Sequence, residues 1–358
     1  MLEPITSLIT DAVHSGVVPG AVVVVGDRDR WDVVAASGVL AYASLAHAPG
    51  TQSATPVRPD SRYDLASLTK VVATLPSVLA LVSAGEVRLE DRLEHFFSNA
   101  GWGQSPSLAD VTVAQLLSHT AGLAALSPLY TVTDNRRTGL AYLLQSARPN
   151  VGACVYSDVG YMLLGALVER VSGRGLERFA RDHVFGPLGM AATDYGPVPP
   201  DNVAATEDCG WRGRLLQGEV HDENAFALGG VAGHAGLFGP AEDLARYARA
   251  WLRLELPFAS PELAASLLVH QGTCSTTGRR SLGWQLHSPD CIGGRAASPA
   301  SFGHSGFTGT SVWIDPEQGW FTVLLTNRVH PSRRAGAGIH ALRRAVHEVV
   351  ARAFTPSS

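Results

Sequence analysis

Lysine is almost missing from this 358-residue chain: of its 28 basic side chains, all but Lys70 are arginine. Charge in general is sparse, at 17% of residues, and the net charge of −4 comes without any basic cluster. Both features argue against nucleic acid as the main partner. No apolar run approaches the length of a membrane-spanning helix, so no membrane span is expected. The four cysteines (Cys154, Cys209, Cys274 and Cys291) form no Cys-x-x-Cys pair and no zinc-like spacing. Reduced, mostly buried thiols are the expectation. The opening Met1-Leu2-Glu3-Pro4 carries acid where a secretory leader carries base, and no apolar core follows it. That pattern predicts a cytoplasmic protein. What the chain does have is 46% hydrophobic residues and 37 glycines, the composition of a well-buried globular enzyme.

Arginine replaces lysine wherever a solvated charge suffices, but it does not give up a proton at physiological pH. A single retained lysine therefore points to a task that needs a neutral amine part of the time. Lys70 lies three residues after a serine, in Ser67-Leu68-Thr69-Lys70. With 29 serines in the chain, that spacing arises by chance about one time in twelve, so its setting matters. Tyr63 to Ala66 reads as a short extended segment. Thr69 to Ala84 carries Val72, Leu75, Leu79 and Val82 at helical spacing and stops at Gly85. Ser67 is thus predicted in the first turn of a helix, with Lys70 one turn later on the same face. Burial and the helix dipole are expected to lower the lysine pKa there. Pro76 predicts a kink.

Two hairpins bracket the chain. Ala21–Gly26 and Trp31–Ala36 flank the polar turn Asp27-Arg28-Asp29-Arg30, and Thr310–Ile314 and Trp320–Thr326 flank Asp315-Pro316-Glu317-Gln318-Gly319. A last helix is predicted over 338–354. The fold class is α/β (α+β): an antiparallel sheet built from both chain ends, flanked by helices, with a mainly helical domain inserted. The expected division places residues 1–65 and 270–358 in the sheet domain and 66–269 in the helical one. A catalytic cleft is expected at their seam, shaped by the loops 127–148 and 197–223.

A serine–lysine pair needs a proton carrier and oxyanion donors. In Val155-Tyr156-Ser157-Asp158, Ser157 or Asp158 suits the N-cap of the apolar helix that follows. Tyr156 is not explained that way, and a phenol beside an ammonium can serve as general base or proton relay. In Phe302-Gly303-His304-Ser305-Gly306-Phe307, glycines at a strand edge mark a close backbone approach and place His304 in the cleft. The cluster His221-Asp222-Glu223 invites a metal reading. Adjacent side chains in an extended loop diverge, however, so a substrate-side loop with His234 near the cleft entrance is expected instead.

Ser67-x-x-Lys70, Tyr156-Ser157-Asp158 and His304-Ser305-Gly306 together resemble the motifs of the serine β-lactamase and penicillin-binding-protein superfamily. The likeness is to its class C-like branch of β-lactamases, D-alanyl-D-alanine carboxypeptidases, family VIII carboxylesterases and D-amino-acid amidases. Leu116-Leu117-Ser118-His119-Thr120-Ala121-Gly122-Leu123 and Ala235-Gly236-Leu237-Phe238 resemble two further signatures of that branch. The resemblance spans about residues 15 to 350. It implies the β-lactamase/transpeptidase-like fold and an acyl-enzyme on Ser67. Lys70 and Tyr156 would share the proton work, with either as base, and the backbone N–H groups of Ser67 and Phe307 would form the oxyanion hole. Asp158, His304, Ser305 and Gly306 would bind substrate, with no metal and no cofactor.

Two residues depart from the family pattern. Asp158 stands where asparagine is usual, and an ionised carboxylate only accepts hydrogen bonds. His304 stands where lysine is frequent and is neutral for much of the time near pH 7. Both changes reduce the pull on anionic substrates. The expected function is therefore a serine hydrolase, an esterase or amidase acting on a small-molecule acyl substrate. The alternatives are a β-lactamase or D-alanyl-D-alanine carboxypeptidase and, further off, a non-catalytic binding protein on the same fold.

Overall fold

The computed structural model describes residues 3–43, 54–97 and 106–355. The ends of the expected sheet domain, residues 1–2 and 356–358, lie outside that range. The N-terminal hairpin is β1 (Gly20–Asp27) and β2 (Trp31–Gly38). Four short strands follow: β3 (Arg62–Asp64), β4 (Asp194–Tyr195), and β5 (Asp208–Cys209) and β6 (Arg214–Leu215), which pair as a small hairpin. Next come β7 (Leu237–Pro240), β8 (Gly272–Cys274), β9 (Gly278–Arg280) and β10 (Gln285–Leu286). β11 (Phe302–Ser305), β12 (Ser311–Asp315) and β13 (Trp320–Thr326) close the set.

The main sheet runs β2-β1-β13-β12-β11-β10-β9-β8, and its pairs are antiparallel. The two expected hairpins pair with each other through β1 and β13, where Ala21 pairs with Thr326 and Asp27 with Trp320. β1 is apolar on both faces because both faces are covered. Ala21, Val23 and Val25 pack with Ile5, Ile9, Ile339 and Val346 from the terminal helices Glu3–His14 and Ile339–Phe354. Val22 and Val24 face the larger core on the other side. There the helix Ala241–Arg253, from within the stretch expected to be helical domain, lies against β1, β12 and β13.

The helical layer centres on Asp158–Ser172, where every residue from Val159 to Val168 is buried. Ser157 caps its N-terminus by accepting from the Gly160 N–H, and Gly173 ends it in the left-handed conformation. Beside it runs the segment containing Lys70. The kink expected at Pro76 takes the form of a π-helical stretch over Lys70–Thr74, followed by the α-helix Leu75–Ser83 with Pro76 in its first turn. The wider turn accommodates a residue that has no N–H to donate. The Val71 carbonyl, which an N–H at position 76 would have met in that turn, accepts from Tyr247 Oη instead. Among the described residues, no helix is long and apolar enough to cross a membrane.

Candidate active site

The turn that carries Ser67 is built by Asp64, which ends β3 and is buried. One of its carboxylate oxygens accepts the Ala66 N–H at 2.8 Å and the other accepts the His221 N–H at 2.7 Å. Ala66 is held at φ +46°, a conformation costly for alanine, and it turns the chain sharply from strand to helix. Ser67 sits on that turn just ahead of the first helical residue, rather than within the helix as expected.

Lys70 is wholly buried. Its Nζ donates to Ser67 Oγ at 2.9 Å and to the His234 carbonyl at 3.2 Å, and it forms an ion pair with Asp158 Oδ1 at 2.6 Å. Burial works to lower the pKa of this ammonium, but the Asp158 charge, with Tyr156 beside it, outweighs burial and holds it above its ordinary value. The expectation of a lowered lysine pKa is thus corrected. The cause is Asp158, which engages the lysine while it lines the cavity.

Tyr156 is framed by His119. The His119 carbonyl accepts the Val155 N–H at 3.0 Å, and its Nδ1 accepts the Ser157 N–H at 3.0 Å. Both backbone neighbours of Tyr156 are therefore fixed by one residue, whose ring centroid lies 4.6 Å from that of Tyr156. Burial, then the Arg280 and Lys70 charges, keep His119 neutral far below the usual histidine range. Lys70 Nζ lies 5.1 Å from the Tyr156 ring centroid and the Arg280 guanidinium carbon 4.9 Å from it. Arg280, on β9, is buried, bonds Thr277 Oγ1 through Nε at 3.2 Å, and finds no partner for Nη1 among the described residues. Among the described residues no carboxylate pairs with it.

A disulfide joins Cys154, two residues before Tyr156, to Cys274 at the end of β8. This corrects the expectation of four reduced thiols; Cys209 and Cys291 are free and buried. The pairing ties the tyrosine loop to the sheet edge that carries Arg280.

The opposite wall is β11 and the turn after it. Thr308 Oγ1 donates to the Asp64 carbonyl at 2.7 Å and Thr310 Oγ1 to the Leu65 carbonyl at 3.1 Å, locking the turn against the segment that leads to Ser67. The approach demands glycine at 306, where a Cβ would lie 2.2 Å from Thr310 Oγ1 and 2.5 Å from the Leu65 carbonyl oxygen. Arg343 Nη2 donates to the Gly306 and Thr310 carbonyls at 2.6 and 2.9 Å, and Arg328 Nε to the Phe307 carbonyl at 2.9 Å. Among the described residues the Ser67 and Phe307 N–H groups have no protein acceptor. His304 is buried with Nδ1 against the Ser305 carbonyl at 3.0 Å. Burial, with Arg280 and Lys70, keeps it neutral well below the ordinary histidine value.

The three adjacent residues of the 221–223 loop turn to three different partners. His221 Nε2 contacts Glu207 at 3.1 Å, Asp222 meets His234 Nε2 at 2.8 Å, and Glu223 pairs with Arg333. Burial opposes ionisation of Asp222, but His234 overrides it and holds the carboxylate well below its usual range. His234 is buried beside Lys70, deeper than the cleft entrance where it was expected.

Ser67, Tyr156, Asp158, His304, Ser305, Gly306 and Phe307 all line one cavity of about 660 Å³, and Lys70 lies beneath its floor. Every site residue expected from the sequence thus meets at one place. His119, Arg280 and Arg343 were not singled out for the site; the 221–223 loop and His234 were expected beside the cleft, but not the contact between Asp222 and His234. His119 had a visible signal in the Leu-Leu-Ser-His-Thr run, whereas Arg280 and Arg343 carry no local mark that separates them from other arginines.

Comparison with known proteins identifies the family. The chain is 32% identical over 311 residues to a putative D-alanyl-D-alanine carboxypeptidase of Escherichia coli strain K12, covering 75% of this chain and 69% of that one. It is also 32% identical over 308 residues to an N-acetylmuramyl-L-alanine amidase of Bacillus subtilis strain 168, covering 75% and 68%. Simvastatin synthase from Aspergillus terreus shares the fold, with a TM-score of 0.74 at 18% identity over 99% of both chains. The family model described as Beta-lactamase matches residues 5–347. The chain belongs to the Beta-lactamase family, hydrolases built on the serine β-lactamase fold.

Proposed function

We propose that the protein hydrolyses small acyl esters and amides through an acyl-enzyme on Ser67. The observation that carries this reading is the 2.9 Å contact between Ser67 Oγ and the buried Lys70 Nζ at the floor of the cavity. Ser67 Oγ attacks the carbonyl carbon, and its proton passes through Lys70 and Tyr156 to the departing alcohol or amine. Negative charge on the carbonyl oxygen develops toward the Ser67 and Phe307 N–H groups. Water then attacks the acyl carbon, and the serine regains its proton as the acid leaves. Because Asp158 keeps Lys70 charged, the lysine accepts the serine proton only after giving one up to the Asp158 carboxylate.

A second reading, a carboxypeptidase acting on peptides with a free terminal carboxylate, is favoured by Arg280. Among the described residues this buried guanidinium on the cavity wall has no carboxylate partner, and it supplies an anion pull that His304 and Asp158 do not. The name of the Escherichia coli relative points the same way. The test is Lys70→Arg, which keeps the charge and removes the exchangeable proton. Ester turnover should vanish while the circular dichroism spectrum and melting stay as in the wild type; an active variant would overturn the proton role. Parallel assays with an activated acetyl ester and an acylated D-alanyl-D-alanine peptide divide the two readings. Peptide turnover that is lost in Arg280→Ala supports the second.

A further inference from the structure

The mouth of the cavity carries apolar surface that the chemistry at Ser67 does not use. Tyr130 and Leu126 line the cavity on the side of Asp158, and Leu126 is 66% exposed. Tyr130 packs edge-on against Trp211 with centroids 5.3 Å apart, and Trp211 against Phe226 at 6.1 Å. Trp211, at the β5–β6 turn, remains 54% exposed. These rings are not loose surface side chains. The Arg212 side chain is inserted below them, its guanidinium 4.1 Å from the Phe226 centroid and 5.4 Å from that of Trp211. The same guanidinium donates to the Val220 carbonyl at 2.7 Å and to Glu219 at 3.1 Å. The Tyr130 N–H is held by Asn224 Oδ1 at 3.2 Å. The shelf is thus fixed to the loop that carries Asp222, and the charge of Arg212 is balanced by Glu219.

We propose that this shelf is a substrate subsite for an uncharged aryl group carried at a distance from the scissile carbonyl. Three features select that occupant. The rings are prefixed, so ordering them on binding costs little. Exposed aromatics gain most from another ring in offset or edge-on contact. The shelf is continuous with the catalytic cavity through Tyr130, so a ligand seated on it has its other end near Ser67. The inference rests on the hydrolase reading and names the substrate class of the same site.

The test uses two ester series on the full chain: acetyl and 4-phenylbutyryl esters of one activated alcohol, and acetates of ethanol and 2-phenylethanol. In one series the aryl ester should show the higher kcat/KM. Trp211→Ala and Tyr130→Ala should each cut the aryl-to-plain ratio about fivefold, with Trp211→Phe retaining most of it. Turnover of the plain acetates with no aryl preference in either series, or a preference untouched by both alanine variants, would overturn the proposal. Absence of Ser67-dependent turnover of any ester would count against the hydrolase reading instead. In that event, calorimetric binding of 4-phenylbutyramide to Ser67→Ala protein, with and without Trp211→Ala, decides the shelf: about fivefold weaker binding supports it and equal binding refutes it.

Discussion

Replacing Asp158 by asparagine separates the charge state of Lys70 from the rest of the site. The lysine is fully buried, and its Nζ lies 2.6 Å from Asp158 Oδ1. Removing one member of a buried ion pair costs about 3–5 kcal/mol. The Asp158 side chain keeps 14% exposure, which places the expected loss near the lower end, about 3 kcal/mol. The sign with pH follows from the direction of the shift. In the wild type the lysine is held above its ordinary value, so the pair stabilises fully below that value and loses its effect only as pH rises through the folded pKa. In the asparagine variant burial is left to dominate and the pKa falls below the ordinary value. The unfolded chain then binds the extra proton, and the variant loses stability as pH drops toward neutrality. Thermal melting should therefore separate the two proteins more at about pH 7 than at about pH 10. The lysine of the variant becomes neutral at lower pH, so the kcat/KM profile for an activated ester should move toward acid. Equal melting at neutral pH with superimposable rate profiles would refute the account of Lys70.

Three further outcomes are expected. Reducing the Cys154–Cys274 bridge, or Cys154→Ser, should lower stability by roughly 2–4 kcal/mol in chemical denaturation; it should also slow ester turnover, because the bridge anchors the loop of Tyr156. His119→Ala leaves the Ser157 N–H without its acceptor, and kcat should fall about tenfold with KM little changed; His119→Asn, which offers an oxygen acceptor, should recover part of it. His347 is buried, with its pKa pushed down to about 4 by burial. Stability from its neutral form is present above the ordinary histidine value and is lost as pH falls below it, on the order of 3 kcal/mol by about pH 4. His347→Asn should flatten the acid limb of the melting curve.

The parts of the fold that were legible in the sequence are those set by short-range chemistry. Asp315-Pro316-Glu317-Gln318-Gly319 announces a tight turn, and β12 and β13 flank it at the expected residues to within one position. The helix after Ser157 follows from its cap and its apolar run. The residues that meet at the candidate site were legible because each sits in a short motif. What escaped depends on contacts made only after folding. Cys154 and Cys274 are 120 residues apart, and only the alignment of β8 beside the tyrosine loop brings them together. Asp158 read as a capping or substrate-side residue because its position ahead of a helix says nothing of a lysine 88 positions earlier in the chain, which the packing of two central helices delivers to it. Arg280 and Arg343 look like surface arginines until the sheet and the C-terminal helix bury them against the cavity. The left-handed Ala66 has no sequence mark because alanine seldom adopts that conformation.

The central claim is that Ser67 carries the acyl group. Intact-protein mass spectrometry after brief exposure to an activated acyl ester, followed by peptide mapping, tests it directly. The account predicts a mass gain equal to one acyl group, located on the peptide containing Ser67, absent from Ser67→Ala and from Lys70→Arg. An adduct of the same size that persists in Ser67→Ala, or that maps to another residue, would contradict it.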